Sequence, residues 1–433
     1  MCIRDRAGAA AAPPVQIKTR FRKEIAAAFD SVVAPSFFDG LKAALRQYIV
    51  NRGNLKSVIA GFPWFLDWGR DALIAVRGMV AAGFLSEARD VLIQFGQFEL
   101  HGTLPNMICG DDAANRDTSD APLWFFVACG DLIRAEGNDQ FLKHSCGNRT
   151  LREVLVSIGE SYLSGTSNGI RIDPDTGLVF SPAHYTWMDT NHPAGTPREG
   201  YAIEIQALWF AALTFLSHHD MPGERAGQWQ ELAEKVRRSV MELFVLPEEG
   251  FLSDCLHAGY GIRARMAERD DALRPNQLLA ITLGLICDAD ICDSVLDACQ
   301  TLLVPGAIRS LADQPLKRPL EIQRNGQLIN DPHNPYQGMY AGDEDTRRKP
   351  AYHNGTAWTW QFPSYCEAWM LRYGDEGKAT AKALLYSSID LIRTGCLGHI
   401  PEILDGDFPH TPRGCDAQAW GVSELLRVWL LTS

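Results

Sequence analysis

Apolar residues recur with a helical period along almost the whole chain, whereas the strict alternation of an amphipathic strand is rare. In residues 79–98, for example, Phe84, Ala88, Val91 and Leu92 follow one another at the spacing of a single helical face. This spacing leaves the polar residues on the opposite face, as in a helix that packs on a core. The pattern therefore predicts a mainly helical protein.

The same periodicity divides the chain into about twelve helical segments and one strand pair. A further helical pattern over residues 21–34 is interpreted as a lead-in segment. A β-hairpin is predicted where residues 170–172 and 178–180 flank the turn-forming run from Asp173 to Gly177. The helices are predicted near residues 37–50, 69–81, 84–98, 122–136, 150–163, 201–217, 224–244, 275–286, 290–303, 356–372, 376–393 and 417–432.

The connections between these helices alternate between short and long. In an antiparallel helix array alternate connections lie at the same end, so all the long loops are expected on one rim. Long loops in compact domains usually carry function. This arrangement predicts an all-α fold, an (α/α)6 barrel of six helical hairpins with functional loops on one rim. An open α-solenoid is the alternative, and the lack of a fixed-period sequence repeat argues against it.

Composition excludes several classes of partner. The 433 residues include 41 Lys and Arg against 53 Asp and Glu, a net charge of −12, and no basic stripe is evident. Nucleic acid and anionic membrane surfaces are therefore not expected as partners. No apolar run reaches the ~18 residues that a membrane-spanning helix needs.

The cysteines and the N-terminus bear on the compartment. The 11 cysteines are scattered without any C-x-x-C pair, which is typical of reduced thiols in a cytoplasmic protein. The start, MCIRDRAGAAAAPPVQ, has no apolar core of a signal peptide. We expect residues 1–20 to be a disordered or artefactual segment, and residues 21–433 to form the single barrel domain.

The long loops combine indole rings with carboxylates, arginines and amides. The first of them, GFPWFLDWGRD, places four large aromatic residues beside two aspartates and an arginine. Sugars present an apolar C–H face and a rim of hydroxyls, which suit aromatic platforms and bidentate polar groups. Hydrolysis of a glycosidic bond further requires two carboxyl groups. The loops therefore indicate a carbohydrate-active enzyme.

Seven motifs make the resemblance to a known family specific. They run from about residue 55 to the end and read GFPWFLDWGRDALIAVRG, TSDAPLWFF, TWMD, AIEIQALWF, LRPNQ, AYHNGTAWTW and PEILDGDFPHTPRGCDAQAW. Together they resemble the amylo-α-1,6-glucosidase domain of glycogen debranching enzymes. The resemblance implies an inverting exo-glucosidase that removes a single α-1,6-linked glucose at a trimmed branch point. Glycogen or limit dextrin would then be its partner, and relatives of this kind carry a further N-terminal domain, which we expect to be missing here.

The resemblance also assigns roles to individual residues. It places the general acid on Asp120 and the general base on Glu402, and it makes Arg70 and Asp71 the fork that holds the sugar. Pro122 replaces a serine found in the family, but proline suits the start of a helix. The insert at residues 313–341 is a second departure from the family. The other substrate-binding candidates are Trp64, Asp67, Trp68, Trp187, Asp189, Glu204, His353, Asn354 and Trp358.

Several alternatives stay open at this point. Asp120 is equally suited to a plain helix N-cap, and Arg70 with Asp71 to a structural ion pair. Another exo-acting α-glucosidase, glucoamylase-like or trehalase-like, would share the barrel, and a non-catalytic glucan-binding protein would share the aromatic loops. The histidines lack zinc-ligand spacing and the aspartates lack the spacing of a magnesium or calcium site, so no metal or organic cofactor is expected.

Overall fold

The computed structural model describes residues 34–110, 112–220 and 224–433. The expectation for residues 1–20 lies outside this range, as does all but the last residue of the predicted lead-in helix. Within the described part of the chain, no helix has both the length and the apolar character needed to cross a membrane.

Twelve principal helices account for most of the regular structure. In chain order they are α1 (Ala34–Tyr48), α2 (Gly69–Ala81), α3 (Leu85–Gln97), α4 (Ala121–Glu136), α5 (Leu151–Ser164), α6 (Ile203–His219), α7 (Glu224–Leu243), α8 (Leu278–Thr282), α9 (Ala289–Gln300), α10 (Phe362–Tyr373), α11 (Asp375–Tyr386) and α12 (Ala419–Leu431). Single helical turns also occur, at Gln140–Lys143, Ala264–Met266, Pro275–Gln277, Glu344–Arg348, Lys349–Tyr352 and Ile389–Arg393.

Burial separates these helices into two sets. Six helices are buried almost all round, namely α2, α4, α6, α8, α10 and α12. In α2, for example, every residue from Gly69 to Val80 is buried. The helices between them bury one face only, as α3 does with Ala88, Val91 and Phe95. All-round burial marks helices in the centre of a protein, and one-sided burial marks helices at its surface.

The buried helices contact one another in sequence, and the last of them packs on the first. α2 contacts α4, α4 contacts α6, and the series continues through α8 and α10 to α12, which packs extensively on α2. At this closing contact the Gly78 N–H donates to Ser423 Oγ at 3.0 Å, and a Cβ on Gly78 would overlap Ser423. Each buried helix follows a long loop, so the six N-termini and their loops share one end.

Short antiparallel strands occupy these loops and the connection between α4 and α5, so the predicted all-α fold with one small β-hairpin was incomplete. The predicted hairpin is present, with Arg171–Ile172 paired to Val179–Phe180. A five-stranded sheet has the order Leu303–Val304, Ala307–Arg309, Ala357–Trp358, Ile403–Leu404 and Pro412–Arg413, and a three-stranded sheet has the order Gly200–Ala202, Cys255–His257 and Glu268–Arg269. The remaining pairs are Ile49–Arg52 with Leu55–Val58, Gly61–Phe62 with Ala417–Gln418, Asp67–Trp68 with Met107–Ile108, Ser145–Cys146 with Arg149–Thr150, Val245–Leu246 with Phe251–Leu252, and Gln323–Arg324 with Gln327–Leu328.

Candidate active site

A small pocket lies among the loops at the N-terminal ends of the buried helices. Its volume is about 150 Å³, well below the ~300–1,000 Å³ of sites for drug-sized ligands. A larger cavity of about 530 Å³ lies toward the other end of these helices, where the Asp131 and Glu367 carboxylates are paired with arginines. The small pocket is lined by Phe65, Trp68, Arg70, Asp71, Trp187, Asp189, Tyr352, His353, Trp358, Glu402, Gln418 and Trp420.

Glu402 is held in the pocket by a hairpin. It directly precedes strand Ile403–Leu404, and the returning chain brings the Cys415 N–H to its Oε2 at 2.8 Å. The Tyr352 hydroxyl donates to the other oxygen, Oε1. Burial raises the pKa of Glu402 to about 7, although both hydrogen bonds favour the ionised form. Glu402 is therefore a fixed carboxyl group that titrates near neutral pH.

Asp189 is a second carboxyl group in the pocket, and it is the more accessible. Its side chain is 31% exposed and accepts a hydrogen bond from Arg70 Nη1 at 3.1 Å. Its surroundings raise its pKa by desolvation, an effect that Arg70 opposes and the Asp120 carboxylate adds to. Asp189 also raises the pKa of Glu402, so the charges of these two groups are coupled across the pocket.

Asp71 is the third carboxyl group and lies in the first turn of α2. The Gln418 amide donates to its Oδ1 at 3.3 Å. Burial raises its pKa to about 7 against the opposing effect of Arg70, and the negative charges of Glu402 and Asp189 raise it further. The three carboxyl groups in this small pocket oppose one another's ionisation, because like charges in a poorly solvated space repel.

Asp120, the general acid assigned from the resemblance, does not line the pocket. It is fully buried at the start of α4, where Arg70 Nε donates to its Oδ2 at 2.6 Å and Thr118 Oγ1 to its Oδ1 at 2.7 Å. Its side chain makes no N-cap hydrogen bond either. Of the two assigned catalytic residues, the structure therefore brings only Glu402 to the pocket wall.

Arg70 connects the buried and the accessible aspartates. Besides Nε on Asp120 and Nη1 on Asp189, it places Nη2 on the Thr186 carbonyl oxygen at 3.0 Å. Three of its five N–H donors are thus used within the protein. Arg70, which was expected to hold the sugar, is therefore engaged within the protein and fixes the position of Asp189.

Aromatic rings and unpartnered polar atoms form the rest of the wall. Trp358 stacks on His353 with ring centroids 5.1 Å apart, and Trp187 meets Trp358 edge-on at 5.0 Å. Both His353 ring nitrogens, Gln418 Oε1 and Trp420 Nε1 are buried without a hydrogen-bond partner among the described residues. Burial and nearby arginines hold the pKa of His353 well below its usual range, so its ring is neutral. Buried polar atoms rarely lack partners, which points to a ligand rich in hydroxyl groups.

Four predicted binding residues lie outside the pocket wall. Glu204 is a buried ion-pair partner of Arg198 with a 2.7 Å bond to Nη2. Asn354 Oδ1 accepts from Arg274 Nη2 at 2.8 Å. Asp67 accepts from Arg52 at 3.2 Å, and Trp64 is 56% exposed to solvent. The first three residues hold loops in place rather than contact a ligand in the pocket.

Four pocket residues were not among the predicted ones. Phe65, Tyr352, Gln418 and Trp420 all fall inside the motifs quoted above, and the first two adjoin residues that were chosen. The signal that could have found them was local, because an aromatic or amide side chain in a sugar-binding loop is itself a candidate. Tyr352 in particular directly precedes His353.

Comparison with known proteins identifies the family of the chain. The family described as Amylo-alpha-1,6-glucosidase matches residues 43–427. The glycogen debranching enzyme of Saccharomyces cerevisiae is 24% identical over 413 residues, covering 73% of this chain and 25% of the yeast protein. The chain thus spans about a quarter of the length of that relative.

Two solved structures share the fold at low sequence identity. One, titled Glycosidase Y48F, has a TM-score of 0.62 at 12% identity and covers 98% of this chain and 100% of its own. The other, titled Glycosidase Wild Type, has a TM-score of 0.60 at 11% identity and covers 96% of this chain and 98% of its own. At such identities the likeness concerns the fold, whereas the family match covers most of the sequence itself. The chain belongs to the amylo-alpha-1,6-glucosidase family.

Proposed function

We propose that this glycoside hydrolase releases single glucose units from the α-1,6-linked branch points of glycogen or a limit dextrin. The observation that carries the proposal is the small aromatic pocket, which combines coupled carboxyl groups with unpartnered donors and acceptors. A pocket of about 150 Å³ suits one terminal sugar ring rather than a bound chain. The family match and the debranching-enzyme relative support the α-1,6 linkage.

We assign the general base to Glu402 and the general acid to Asp189 in place of Asp120. Asp189 faces the pocket, whereas Asp120 is buried against Arg70 and Thr118. Two donors, the Tyr352 hydroxyl and the Cys415 N–H, favour the ionised form of Glu402. Asp189 keeps a more accessible face toward the pocket, where it can reach the glycosidic oxygen, and desolvation favours its protonated form against the opposing effect of Arg70.

The reaction then follows a single displacement. Asp189 gives its proton to the glycosidic oxygen while Glu402 takes one from a water molecule that attacks the anomeric carbon from the opposite face. The bond between that carbon and the glucan oxygen breaks, and β-glucose leaves. An inverting pair of this kind needs carboxyl groups roughly 6.5–9.5 Å apart, leaving room for the water. Asp71, Gln418, His353 and Trp420 would bind the hydroxyls of the glucose ring.

We also propose that the described residues of the predicted domain, 21–433, form an (α/α)6 barrel. The closed series of contacts among six buried helices supports this, as do the six surface helices packed between them in sequence. A cytoplasmic setting is supported by the free thiols of the ten described cysteines, three of which are exposed.

A substrate comparison tests the proposed function. Glucose release would be measured from phosphorylase-limit dextrin, linear maltooligosaccharides and trehalose, with the anomer followed by NMR. We expect the limit dextrin to be the best substrate and β-glucose to appear first. Preference for maltooligosaccharides or trehalose would favour the glucoamylase-like or trehalase-like alternative. Glucan binding without released sugar would favour the non-catalytic one.

A further inference from the structure

Trp64 lies outside the pocket, yet a row of aromatic rings connects it to the pocket wall. The Trp64 and Phe65 ring centroids are 6.2 Å apart, and those of Phe65 and Trp68 are also 6.2 Å apart. Phe65 and Trp68 both line the pocket. The row therefore runs from solvent at Trp64 to the place where the terminal sugar would bind.

The backbone that carries this row is held firmly. The Phe65 N–H donates to the Gly61 carbonyl at 3.1 Å, and the Ala60 N–H donates to the Leu66 carbonyl at 2.8 Å. Strand Gly61–Phe62 pairs with Ala417–Gln418, which carries one of the amides of the pocket. The backbone segment that carries Trp64 is thus held next to the pocket by the same strand pair.

The exposure of these side chains has no packing explanation. Trp64 is 56% exposed, and the neighbouring Phe62 and Leu66 are also exposed. An exposed apolar cluster beside a polar site marks a place where a ligand or partner binds. The pocket has room for one ring, so the rest of a glucan must lie outside its mouth, where an indole face matches the C–H face of a sugar.

Building on the proposed function, we propose that Trp64 is a platform for the sugar ring on the leaving-group side of the scissile bond. The glucose to be released enters the pocket, and the glucan that it leaves stacks on the exposed face of Trp64. Trp64 would then determine specificity, because a substrate with a glucan beyond the scissile bond gains a contact that a simple glucoside lacks.

Two substrates separate this role from catalysis. Phosphorylase-limit dextrin has a leaving-group glucan, whereas α-glucosyl fluoride, whose C1–F bond is hydrolysed to glucose and fluoride, has none. For Trp64→Ala we expect KM for the dextrin to rise about tenfold with kcat within twofold. For the fluoride, we expect kcat/KM to change less than twofold. Trp64→Phe should restore most of the dextrin KM. Tyr260→Ala, which removes an aromatic residue that is 66% exposed elsewhere, should change neither substrate.

Other outcomes overturn the proposal in distinguishable ways. An unchanged dextrin KM in Trp64→Ala rejects the platform, and an equal loss on both substrates assigns Trp64 to the shape of the pocket instead. If the wild-type enzyme releases glucose from neither substrate, the proposed function itself fails and the platform fails with it.

Discussion

Arg70 donates one hydrogen bond to a buried aspartate, one to an accessible aspartate and one to the Thr186 carbonyl oxygen. Its two carboxylate contacts influence the chemistry of both aspartates. Asp120 neutralises a fully buried guanidinium, while Asp189 receives one N–H and keeps a face toward the pocket. A buried arginine is stable only when it is paired. Asp120 is therefore best understood as the residue that keeps Arg70 in place to orient the acid.

This division makes different predictions for the two aspartates. Asp189→Asn should lower kcat on limit dextrin by at least 10³-fold, within the range that a general acid contributes, yet retain most hydrolysis of α-glucosyl fluoride, because fluoride leaves without a proton. Asp120→Asn should reduce both activities together and lower the free energy of unfolding, since it removes the fully buried carboxylate that pairs with Arg70. Initial rates on both substrates and urea unfolding provide the measurements. Retained fluoride hydrolysis in Asp120→Asn, with loss in Asp189→Asn, would return the acid to Asp120.

Tyr352 should set the pH at which Glu402 becomes an effective base. Its hydroxyl donates to the ionised carboxylate, so Tyr352→Phe removes a contact that lowers the pKa of Glu402. The acidic limb of kcat/KM against pH, which rises as the base ionises, should therefore move to higher pH. Tyr340→Phe is the control, because the Tyr340 ring lies 5.5 Å from that of Tyr352. An acidic limb unchanged in Tyr352→Phe would remove Tyr352 from this role.

At the residue scale the sequence predicted the kinds of groups in the site better than their positions. The motifs named Glu402, Asp189 and three of the four tryptophans that line the pocket, but not Trp420. The motifs could not show that Asp120 and Glu204 are each buried against an arginine side chain. Burial of a carboxylate depends on which side chain covers it: Arg70 lies 50 residues before Asp120, whereas Arg198 lies six residues before Glu204.

At the scale of elements, the hairpin that follows Glu402 is the clearest case of a backbone holding a functional group. Gly414 has φ +67, and a Cβ there would overlap Glu402 Oε2. Gly414→Ala should therefore lower kcat at least tenfold by displacing the base. Gly395→Ala is a matched control, because Gly395 has φ +62 and open space around it. Both should lose about 1–2 kcal/mol of stability from the left-handed conformation. Equal kinetics for the two variants would contradict this role of the hairpin.

Two helices are shorter than the periodicity predicted, and the same five-stranded sheet explains one of them. Periodicity predicted a helix over residues 356–372, but α10 begins at Phe362 because Ala357–Trp358 is a strand between Ala307–Arg309 and Ile403–Leu404. Likewise α8 is only five residues long, since Pro275–Gln277 forms a separate helical turn before it. The spacing of apolar residues within a segment carries no information about strand partners about fifty residues away in either direction. The helix boundaries near the site were therefore harder to predict than those elsewhere.

For the whole molecule, the alternation of loop lengths was the most informative sequence pattern. It predicted that the long loops share one end, and the structure has each buried helix begin after such a loop. That arrangement brings Arg70, Asp189 and Glu402 together from three distant segments. The pattern could not show the strands within the loops, because two-residue strands are too short to have a period.

Because Asp71, Asp189 and Glu402 share one small pocket, the stability of the fold should depend on pH. The pKa of Glu402 is about 7 in the folded protein, above its ordinary value of 4.5. Between these values the folded state keeps a proton that the unfolded state has lost, so this contribution to stability is complete below about pH 4.5 and disappears as pH rises through 7. Glu402→Gln cannot ionise at this position. At pH 8 its free energy of unfolding, measured with urea, should therefore exceed that of the wild type by on the order of 3 kcal/mol. At pH 4.5 the two proteins should hardly differ. Glu231→Gln, on the exposed surface of α7, controls for loss of a charge. A Glu402→Gln difference that is the same at both pH values would show that the base is not held in an environment that resists its ionisation.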